Sequence, residues 1–582
     1  MKQLSQKKAY IILTLIILSA LMLYTYFFFA KKKGYDSDEI YSYSLANSYF
    51  KPFLEESGNW NMNYVSDVIP YLETWINGSV LHDYITVQNG EQFSYSSVWY
   101  NQCKDVHPPF YYAVLHTICS FFPDIYSPWF ALSINYLSFI LVMILLYRIG
   151  TLHGSSVFSL LLCSFYAFSA GAVDTYTFLR MYALCALFAL LLFTTMAKYI
   201  RTFRKKYLVP LFIFTLIASL THYYLVLFAF FLTLITELYF LIKKKWKPFF
   251  SLGLTMLFSV LCAFCIFPAS INHLFSKGTG FAGQSMSPYY QTRYIIRLIF
   301  QQFTGITLPY LRTYFPIYAT TVVGIVSVLL LLSFFLFRKE NWAEKFFKGT
   351  KKILLALLNK IRKIIRNLPC TYHILFITLL CLFIYNICCL PIATMQDNTI
   401  RYLFPFYPLF CYFIFCILKE IIPISIKGTL KFFISMFVLI ICSINSVLLN
   451  PHCFLSVNAK LQGKQIKNLE NEASYIVFIP KSYHMANFSI LLQDVSNIYF
   501  FSVDENMGNP LPDSLMTLPT DAANHPIYLL IVNTETNNIN YINERSETEW
   551  ISLISVLPYV EETTFLGEDC TNGYLYDIYR LR

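Results

Sequence analysis

The sequence predicts an α-helical polytopic membrane protein of about 11 spans, with a large first outer loop carrying juxtamembrane helices and a C-terminal soluble α/β domain. Of its 582 residues, 56% are hydrophobic and only 13% are charged, whereas soluble domains carry about 25% charged residues. Apolar runs long enough to cross roughly 30 Å of hydrocarbon recur along the chain. The end of the chain is instead polar, with short β-rich runs. We therefore predict a transmembrane module at 1–450 and an extracytoplasmic α/β accessory domain at 451–582.

Basic residues occur in short clusters between the apolar runs, and these clusters set the predicted orientation. One cluster lies at 201–206, another at 243–247 and a third at 338–366. Short loops rich in Lys and Arg lie on the cytoplasmic side of a membrane. The clusters therefore predict cytoplasmic loops, and they explain the net charge of +11 without nucleic-acid binding.

Counting from these loops assigns each apolar run a direction. The first run is interpreted as a retained span because Lys31-Lys32-Lys33 follows it instead of a small-residue cleavage motif; these lysines are an exception, since the orientation puts them outside. Residues 338–370 are predicted to be cytoplasmic and to include a basic amphipathic helix. The predicted spans are 10–30, 126–147, 155–172, 176–198, two short spans within 207–242 that turn near Thr221-His222, 248–270, 316–337, 371–394, 401–419 and 432–450.

Two regions are predicted not to cross the membrane. The stretch 109–122 is too short for a comfortable span and begins and ends outside, so a juxtamembrane or re-entrant helix is expected after Pro108-Pro109. The C-terminal domain has four β-rich runs, and it contains no recognisable catalytic motif. These runs are Tyr475 to Ile479, Ile498 to Val503, Ile527 to Val532 and Tyr574 to Tyr579.

The ionisable residues near the membrane sort to one side. Ionisable groups at membrane level are functional candidates because they are costly to keep there. With the orientation set by basic loops alone, nine of them fall at the outer face: Asp38, Glu39, Asp105, His107, Asp174, Arg180, His222, Asp397 and Arg401. The sequence therefore predicts a functional site facing away from the cytoplasm.

Several of these residues belong to short motifs that occur in a fixed order. The motifs are Asp38-Glu39, Asp105-Val106-His107-Pro108-Pro109, Arg180-Met181-Tyr182, Thr221-His222-Tyr223-Tyr224 and Arg401-Tyr402-Leu403-Phe404-Pro405. Together they resemble the protein O-mannosyltransferase and lipid A aminoarabinose transferase group of the glycosyltransferase C superfamily. The resemblance covers roughly residues 1–420 and leaves out the C-terminal domain.

The resemblance implies a sugar donor linked to a polyprenyl phosphate, used outside the cytoplasm with inversion at the anomeric carbon. It also implies that Asp38 is the catalytic base, with Glu39 as the second acidic candidate. Elementary chemistry agrees, because a carboxylate must accept the proton of the attacking hydroxyl and cations must meet the phosphate that leaves. The predicted substrate-binding residues are Asp105, His107, Arg180, Tyr182, His222, Tyr223, Arg401 and Tyr402.

A divalent metal ion is an open question, because some proteins of the group bind one and others do not. Asp105, His107 and His222 are the candidate ligands, since carboxylate and imidazole suit divalent ions. Their spacing is not diagnostic. The cofactor is therefore left unassigned.

Other functions remain open at this stage. A polyprenyl-linked lipid or sugar transporter or flippase is the main alternative, although transporters tend to carry internal repeats and midplane charges. A non-catalytic assembly protein and a ligase or polymerase that uses a polyprenyl diphosphate are further alternatives. The acceptor, whether lipid, glycan or protein, is not defined. The composition favours a bacterial inner membrane.

Overall fold

The structure is a computed structural model. It describes residues 5–32, 34–54, 71–275, 397–421, 426–449, 452, 454–455, 472–503, 511–520, 522, 525–532, 547–571 and 574–581.

Helices make up most of the described chain. The first helix continues as a π-helical turn, Phe27–Lys31, and single turns of 3-10 helix occur at Lys205–Tyr207 and Asp513–Leu515. The α-helices are α1 Gln6–Tyr26, α2 Ser37–Asn47, α3 Ser79–Ile85, α4 Tyr95–Lys104, α5 Phe110–Ser120, α6 Pro128–His153, α7 Ser156–Ala167, α8 Ala170–Thr177, α9 Tyr182–Thr202, α10 Leu208–Thr221, α11 Tyr223–Ile242, α12 Trp246–Ile266, α13 Ala269–Phe275, α14 Tyr407–Ile421, α15 Ile426–Leu449, α16 Ser489–Leu492 and α17 Glu547–Ile554.

Within the described residues, five helices are long and apolar enough to cross a membrane, and a bent pair of helices makes a sixth candidate. These helices make the chain an integral membrane protein. The central helix α9 is the most enclosed of them, whereas α12 is largely exposed at its apolar surface. The five are Gln6–Lys31, Pro128–Leu152, Tyr182–Thr202, Tyr223–Ile242 and Trp246–Ile266.

The predicted span at 155–172 is not one continuous helix. Helices α7 and α8 replace it and bend by 63° relative to each other. The Ser169 hydroxyl accepts a hydrogen bond from the Ala172 amide and so begins a new helix, because serine at this position satisfies a free amide. Side-chain hydroxyls also satisfy the carbonyl groups freed at the break: Tyr24 donates to Ala167 O. Backbone groups at membrane depth require such partners.

The predicted span at 401–419 is also wrong at its start. Residues Asp397–Phe406 form a 3-10 helix, and the α-helix begins only at Tyr407. Pro405 explains the difference, since proline lacks an amide donor and disfavours α conformation in the residue before it. Arg401 and Tyr402 therefore lie on the 3-10 helix that precedes α14.

A helix within 109–122 and a turn at His222 are both present as predicted, and several other predictions fall outside the described residues. The position of the helix within 109–122 relative to the membrane stays a prediction. The stretch at 109–122 is an 11-residue helix, α5, about 17 Å long at 1.5 Å per residue. Helices α10 and α11 meet at His222 as predicted. The predicted outer loop at 271–315 extends beyond α13 into residues that are not described. The spans at 316–337 and 371–394 and the cytoplasmic segment 338–370 also lie outside the described residues, so the count of about 11 stays a prediction.

The C-terminal region forms a six-stranded mixed sheet in the order β1-β3-β2-β4-β6-β5. Strand β2 pairs in parallel with both β3 and β4, and the remaining neighbours are antiparallel. A 3-10 helix, Ser482–Phe488, and α16 connect β2 to β3. The four predicted strands are confirmed. The strands are β1 Trp75–Ile76, β2 Ser474–Ile479, β3 Asn497–Ser502, β4 Ile527–Val532, β5 Thr563–Thr571 and β6 Tyr574–Leu581.

The segment between α2 and α3 contributes β1, so this segment and the C-terminal region share one sheet. Trp75 pairs with Tyr499, and the Gly78 amide donates to Val495 O at 2.8 Å. Gly78 permits this approach, because a Cβ atom there would lie only 2.3 Å from Leu492 O. The predicted division at residue 450 therefore separates two segments that pack together.

Candidate functional site

The site is built around the N-terminus of helix α2. Asp36 is the N-cap: its carboxylate accepts a hydrogen bond from the Asp38 amide at 3.0 Å, and the Glu39 carboxylate accepts one from the Asp36 amide at 2.8 Å. This reciprocal capping box fixes where the helix starts. It places Asp38 in the first turn with a side chain that stays 25% exposed, whereas Glu39 is fully buried.

Glu39 is occupied by structural contacts. The Lys32 ammonium lies 3.0 Å from Glu39 Oε1 and 2.8 Å from Oε2, and both side chains are buried. Lys32 also donates to the Phe454 carbonyl oxygen at 2.8 Å. The Leu179 amide donates to Glu39 Oε1 at 3.0 Å. Lys32 thus lies on the predicted outer side because it neutralises a buried carboxylate there.

Arg180 follows Leu179 on the turn between α8 and α9. Glu39 holds this turn by accepting the hydrogen bond from the Leu179 amide. Its guanidinium is 2% exposed and donates from Nη1 to the Tyr112 hydroxyl at 3.0 Å and, more weakly, to Ser42 Oγ at 3.5 Å. Arg180 Nη2 lies 3.8 Å from Asp38 Oδ1. Helices α5 and α2 therefore hold this arginine beside Asp38.

Arg401 approaches Asp38 from the other end of the chain. Its Nη1 donates to Asp38 Oδ2, and its guanidinium lies 5.3 Å from the ring centre of Tyr402. The two residues of this ion pair are 363 positions apart in the sequence. The 3-10 helix before α14 thus brings a second cation to the carboxylate of α2.

The histidines lie next to the arginines. His107 Nδ1 is 2.8 Å from Asp105 Oδ2, and its Nε2 is 3.4 Å from Arg180 Nη2. The rings of His107 and His222 have centres 5.9 Å apart. His222 Nδ1 accepts the Tyr224 amide and caps α11. Asp105, His107 and Arg180 therefore form a continuous polar chain that leads to Asp38.

Two predicted tyrosines lie in the same cluster and one does not. Tyr182 lies 5.6 Å from His222 and 6.2 Å from Tyr402 between ring centres. Tyr223 points elsewhere, and its hydroxyl lies 2.8 Å from His273 Nδ1. The aromatic rings of Tyr182, His222 and Tyr402 thus form a wall next to Arg401, whereas Tyr223 contributes to a separate contact.

The pKa values of Asp36 and Asp38 are shifted in opposite directions. Burial raises the pKa of Asp38, but the charges of Arg401 and Arg180 outweigh burial and lower that pKa to about 2. Burial and the neighbouring Asp38 charge raise the pKa of Asp36 to about 6. Opposite charges favour the ionised form of a carboxyl and like charges disfavour it. Asp38 is therefore a stable anion at neutral pH.

The residues proposed as metal ligands do not fit a metal ion as they are placed. Within the described part of the chain, no three His, Cys, Asp or Glu side chains converge in a way that could hold one. His107 Nε2 faces the Arg180 guanidinium, and a second cation there would be repelled. His222 Nδ1 is already used as a helix cap. The roles proposed below are therefore assigned to protein side chains.

Sequence reasoning missed three contributors to the cluster. Tyr112 and Ser42 contact Arg180, and Lys32 pairs with Glu39. Only Lys32 gave a signal, as a lysine on the side where the orientation rule disfavours it. Tyr112 and Ser42 are ordinary helix residues in the sequence, and only the packing of α2 against α5 identifies them. Asp174, expected at the same face, instead pairs with His452 at 2.5 Å.

Wild-type protein is expected to lose stability relative to an Asp36→Asn variant as the pH rises from about 4 to about 6. The native state holds the Asp36 proton up to about pH 6, whereas the ordinary value is 3.8. Between these values the native state binds more protons, so the free energy of unfolding falls as pH rises. Asparagine caps a helix as well as aspartate does and carries no proton. Thermal unfolding of both proteins across this range measures the difference; parallel curves would contradict it.

Comparison with known proteins gives a limited result. No protein-family model and no curated protein matches the chain. Crystal structures of ArnT from Cupriavidus metallidurans, one bound to undecaprenyl phosphate and one in the apo state, are similar over 97% of this chain and 97% of their own. Each is 12% identical, with TM-scores of 0.37 and 0.42 respectively. Values this low assign no function, which must come from the residues of the site.

Proposed function

We propose that the chain is an integral membrane glycosyltransferase that moves a sugar from a polyprenyl-phosphate donor to an acceptor hydroxyl on the extracytoplasmic face. The observation that carries this proposal is the meeting of one partly exposed carboxylate, Asp38, with two guanidiniums, Arg180 and Arg401. A base beside two phosphate-binding cations is what transfer from a sugar phosphate requires. The sequence motifs that contain these three residues led to the same expectation.

In the proposed reaction, the anomeric carbon of the sugar gains a bond to the acceptor oxygen and loses its bond to the phosphate. The acceptor oxygen bonds to the anomeric carbon from the face opposite the phosphate, its proton passes to Asp38, and the bond from carbon to phosphate oxygen breaks. The bond electrons leave with the polyprenyl phosphate, so the sugar inverts. Arg180 and Arg401 meet the charge that develops on the departing phosphate, because guanidinium pairs with phosphate through parallel hydrogen bonds.

The remaining residues have supporting roles in this proposal. Tyr182, His222 and Tyr402 form a wall beside Arg401 against which a sugar ring or the first isoprene unit can pack. Asp105 and His107 position Arg180, because His107 contacts the Asp105 carboxylate with one ring nitrogen and the Arg180 guanidinium with the other. Glu39 is assigned to positioning rather than proton transfer, because Lys32 and the backbone occupy its oxygens. Tyr223 is assigned to the contact with His273.

Removal of the gene followed by mass spectrometry of lipid-linked sugars tests the proposal. We expect one polyprenyl-phosphate sugar to accumulate, to disappear when the wild-type gene is restored, and to persist with an Asp38→Asn variant. The mass of that lipid identifies the sugar. If no such lipid accumulates, or if purified protein moves a polyprenyl-linked substrate across liposomes without a covalent product, the proposal is wrong.

A further inference from the structure

Both guanidiniums that would bind the donor phosphate are already directed at the proposed base. Arg401 Nη1 donates to one oxygen of Asp38, and Arg180 Nη2 lies 3.8 Å from the other. A carboxylate held between two cations is a poor proton acceptor, as the lowered pKa of Asp38 indicates, since a general base works best with a pKa near the operating pH. The pairing of Asp38 with Arg401 and Arg180 therefore disfavours proton abstraction by this carboxylate.

The same arginines keep unused capacity to bind an anion. Among the described residues, Arg180 Nε and Arg401 Nε are buried and have no hydrogen-bond acceptor. A buried donor without an acceptor destabilises the arrangement that leaves it unpaired. A phosphate offers several oxygens and can serve Nε and Nη together, whereas the Asp38 carboxylate is placed only at the Nη atoms. Phosphate is thus the better partner for both guanidiniums.

The three side chains differ in how firmly they are held. Arg180 is 2% exposed and fixed by Tyr112. Asp38 is the most exposed of the three, at 25%, compared with 18% for Arg401. The carboxylate is therefore the group with most freedom to turn away when an anion arrives.

We propose, on the basis of the glycosyltransferase function above, that Asp38 and the donor phosphate compete for Arg401 and Arg180, so that donor binding releases the carboxylate. The phosphate takes over both guanidiniums, and Asp38 turns toward the acceptor hydroxyl with its proton affinity restored. Proton abstraction thereby depends on an occupied donor site. The coupling is reciprocal: donor binding weakens the pairing of Asp38 with the arginines by the same free energy by which that pairing weakens donor binding.

The test is binding of undecaprenyl phosphate to purified full-length protein in detergent at pH 7.5, with undecaprenol as the uncharged control. Asp38→Asn removes the competing negative charge and is expected to bind undecaprenyl phosphate roughly tenfold more tightly, within the range typical of coupled sites. The same variant is expected to lose transfer. Asp38→Asn combined with Arg401→Gln should show no such gain.

Asp36→Asn is the matched control. It also removes a carboxylate, two positions away, but Asp36 caps α2 and accepts no hydrogen bond from either arginine among the described contacts. Equal tightening by Asp36→Asn and Asp38→Asn would reduce the effect to a general loss of negative charge and overturn the proposal. Unchanged or weaker binding by Asp38→Asn would also overturn it. If inorganic phosphate alone reproduces the Asp38-dependent gain at equal concentration, a lipid phosphate is not the occupant.

A second readout needs no variant. Carbodiimides modify protonated carboxyl groups, so labelling of Asp38 in wild-type protein at pH 5 should increase when undecaprenyl phosphate is added. Unchanged labelling at saturating lipid overturns the exchange. The two proposals fail in different ways. Transfer that depends on Asp38, without tighter lipid binding by Asp38→Asn, refutes only the competition for the arginines. Tighter lipid binding by Asp38→Asn, without any transfer by wild-type protein, refutes only the transferase.

Discussion

An Asp38→Asn variant is expected to transfer sugar about 10²- to 10⁴-fold more slowly than wild-type protein, which is the usual contribution of a general base. Asparagine keeps the shape of the side chain and can accept hydrogen bonds from Arg401, but it cannot take a proton. The rate of product formation from a polyprenyl-phosphate sugar, measured with purified protein at saturating donor, gives the ratio directly.

Asp36→Asn is the control for this measurement, because it preserves the cap of α2 and changes the neighbouring carboxyl. We expect it to transfer at close to the wild-type rate. Full transfer by Asp38→Asn at a normal expression level would remove Asp38 from the mechanism. A loss of equal size in both variants would show that the start of α2, rather than proton transfer, is affected.

A Lys32→Met variant is expected to be less stable by about 3–5 kcal/mol, the usual cost of removing one partner of a buried ion pair. Glu39 is fully buried and would lose the ammonium that pairs with it. Methionine fills a similar volume, so the lost charge, rather than a cavity, accounts for the change. Chemical unfolding in detergent, followed by tryptophan fluorescence, measures the difference.

Lys31→Met provides the matched comparison, since Lys31 is the adjacent lysine but is exposed. It should unfold like wild-type protein. Adding Glu39→Gln to Lys32→Met should recover much of the stability, because a neutral amide is cheaper to bury than an unpaired carboxylate. Equal stability of the two lysine variants would mean that Lys32 does not neutralise Glu39.

Much of the fold follows from periodicity and charge. The β-rich runs of the C-terminal region coincide with β2, β3, β4 and β6 to within two residues at their ends, because buried strands read as continuous β-branched and aromatic runs. Two strands were missed. Strand β1 is only two residues long and depends on a partner more than 400 positions away. Strand β5 contains Gly567 at φ +145° and two acidic residues. Residues of these types are uncommon in strands, so the sequence pattern does not indicate this one.

The site was partly predictable for a physical reason. Basic loops set the orientation, and the orientation placed Asp38, His107, Arg180 and Arg401 at one face, where the structure brings them together. Counting spans from the basic loops assigns each residue to a side of the membrane, but it does not show which residues are in contact. It grouped Glu39 with Asp38, although adjacent helix residues point in different directions and Glu39 turns inward to Lys32. It likewise could not anticipate that Tyr223 pairs with His273.

The bonds around Lys32 and Asp38 have a consequence for the order of synthesis. Lys32 donates to a carbonyl oxygen 422 positions later, and Arg401 follows Asp38 by 363 positions. At about 5–20 residues per second, the carboxylate leaves the ribosome tens of seconds before its arginine. A partly made chain thus carries the proposed base without the second cation, so the proposed site is completed only after the segment around Arg401 has been synthesised.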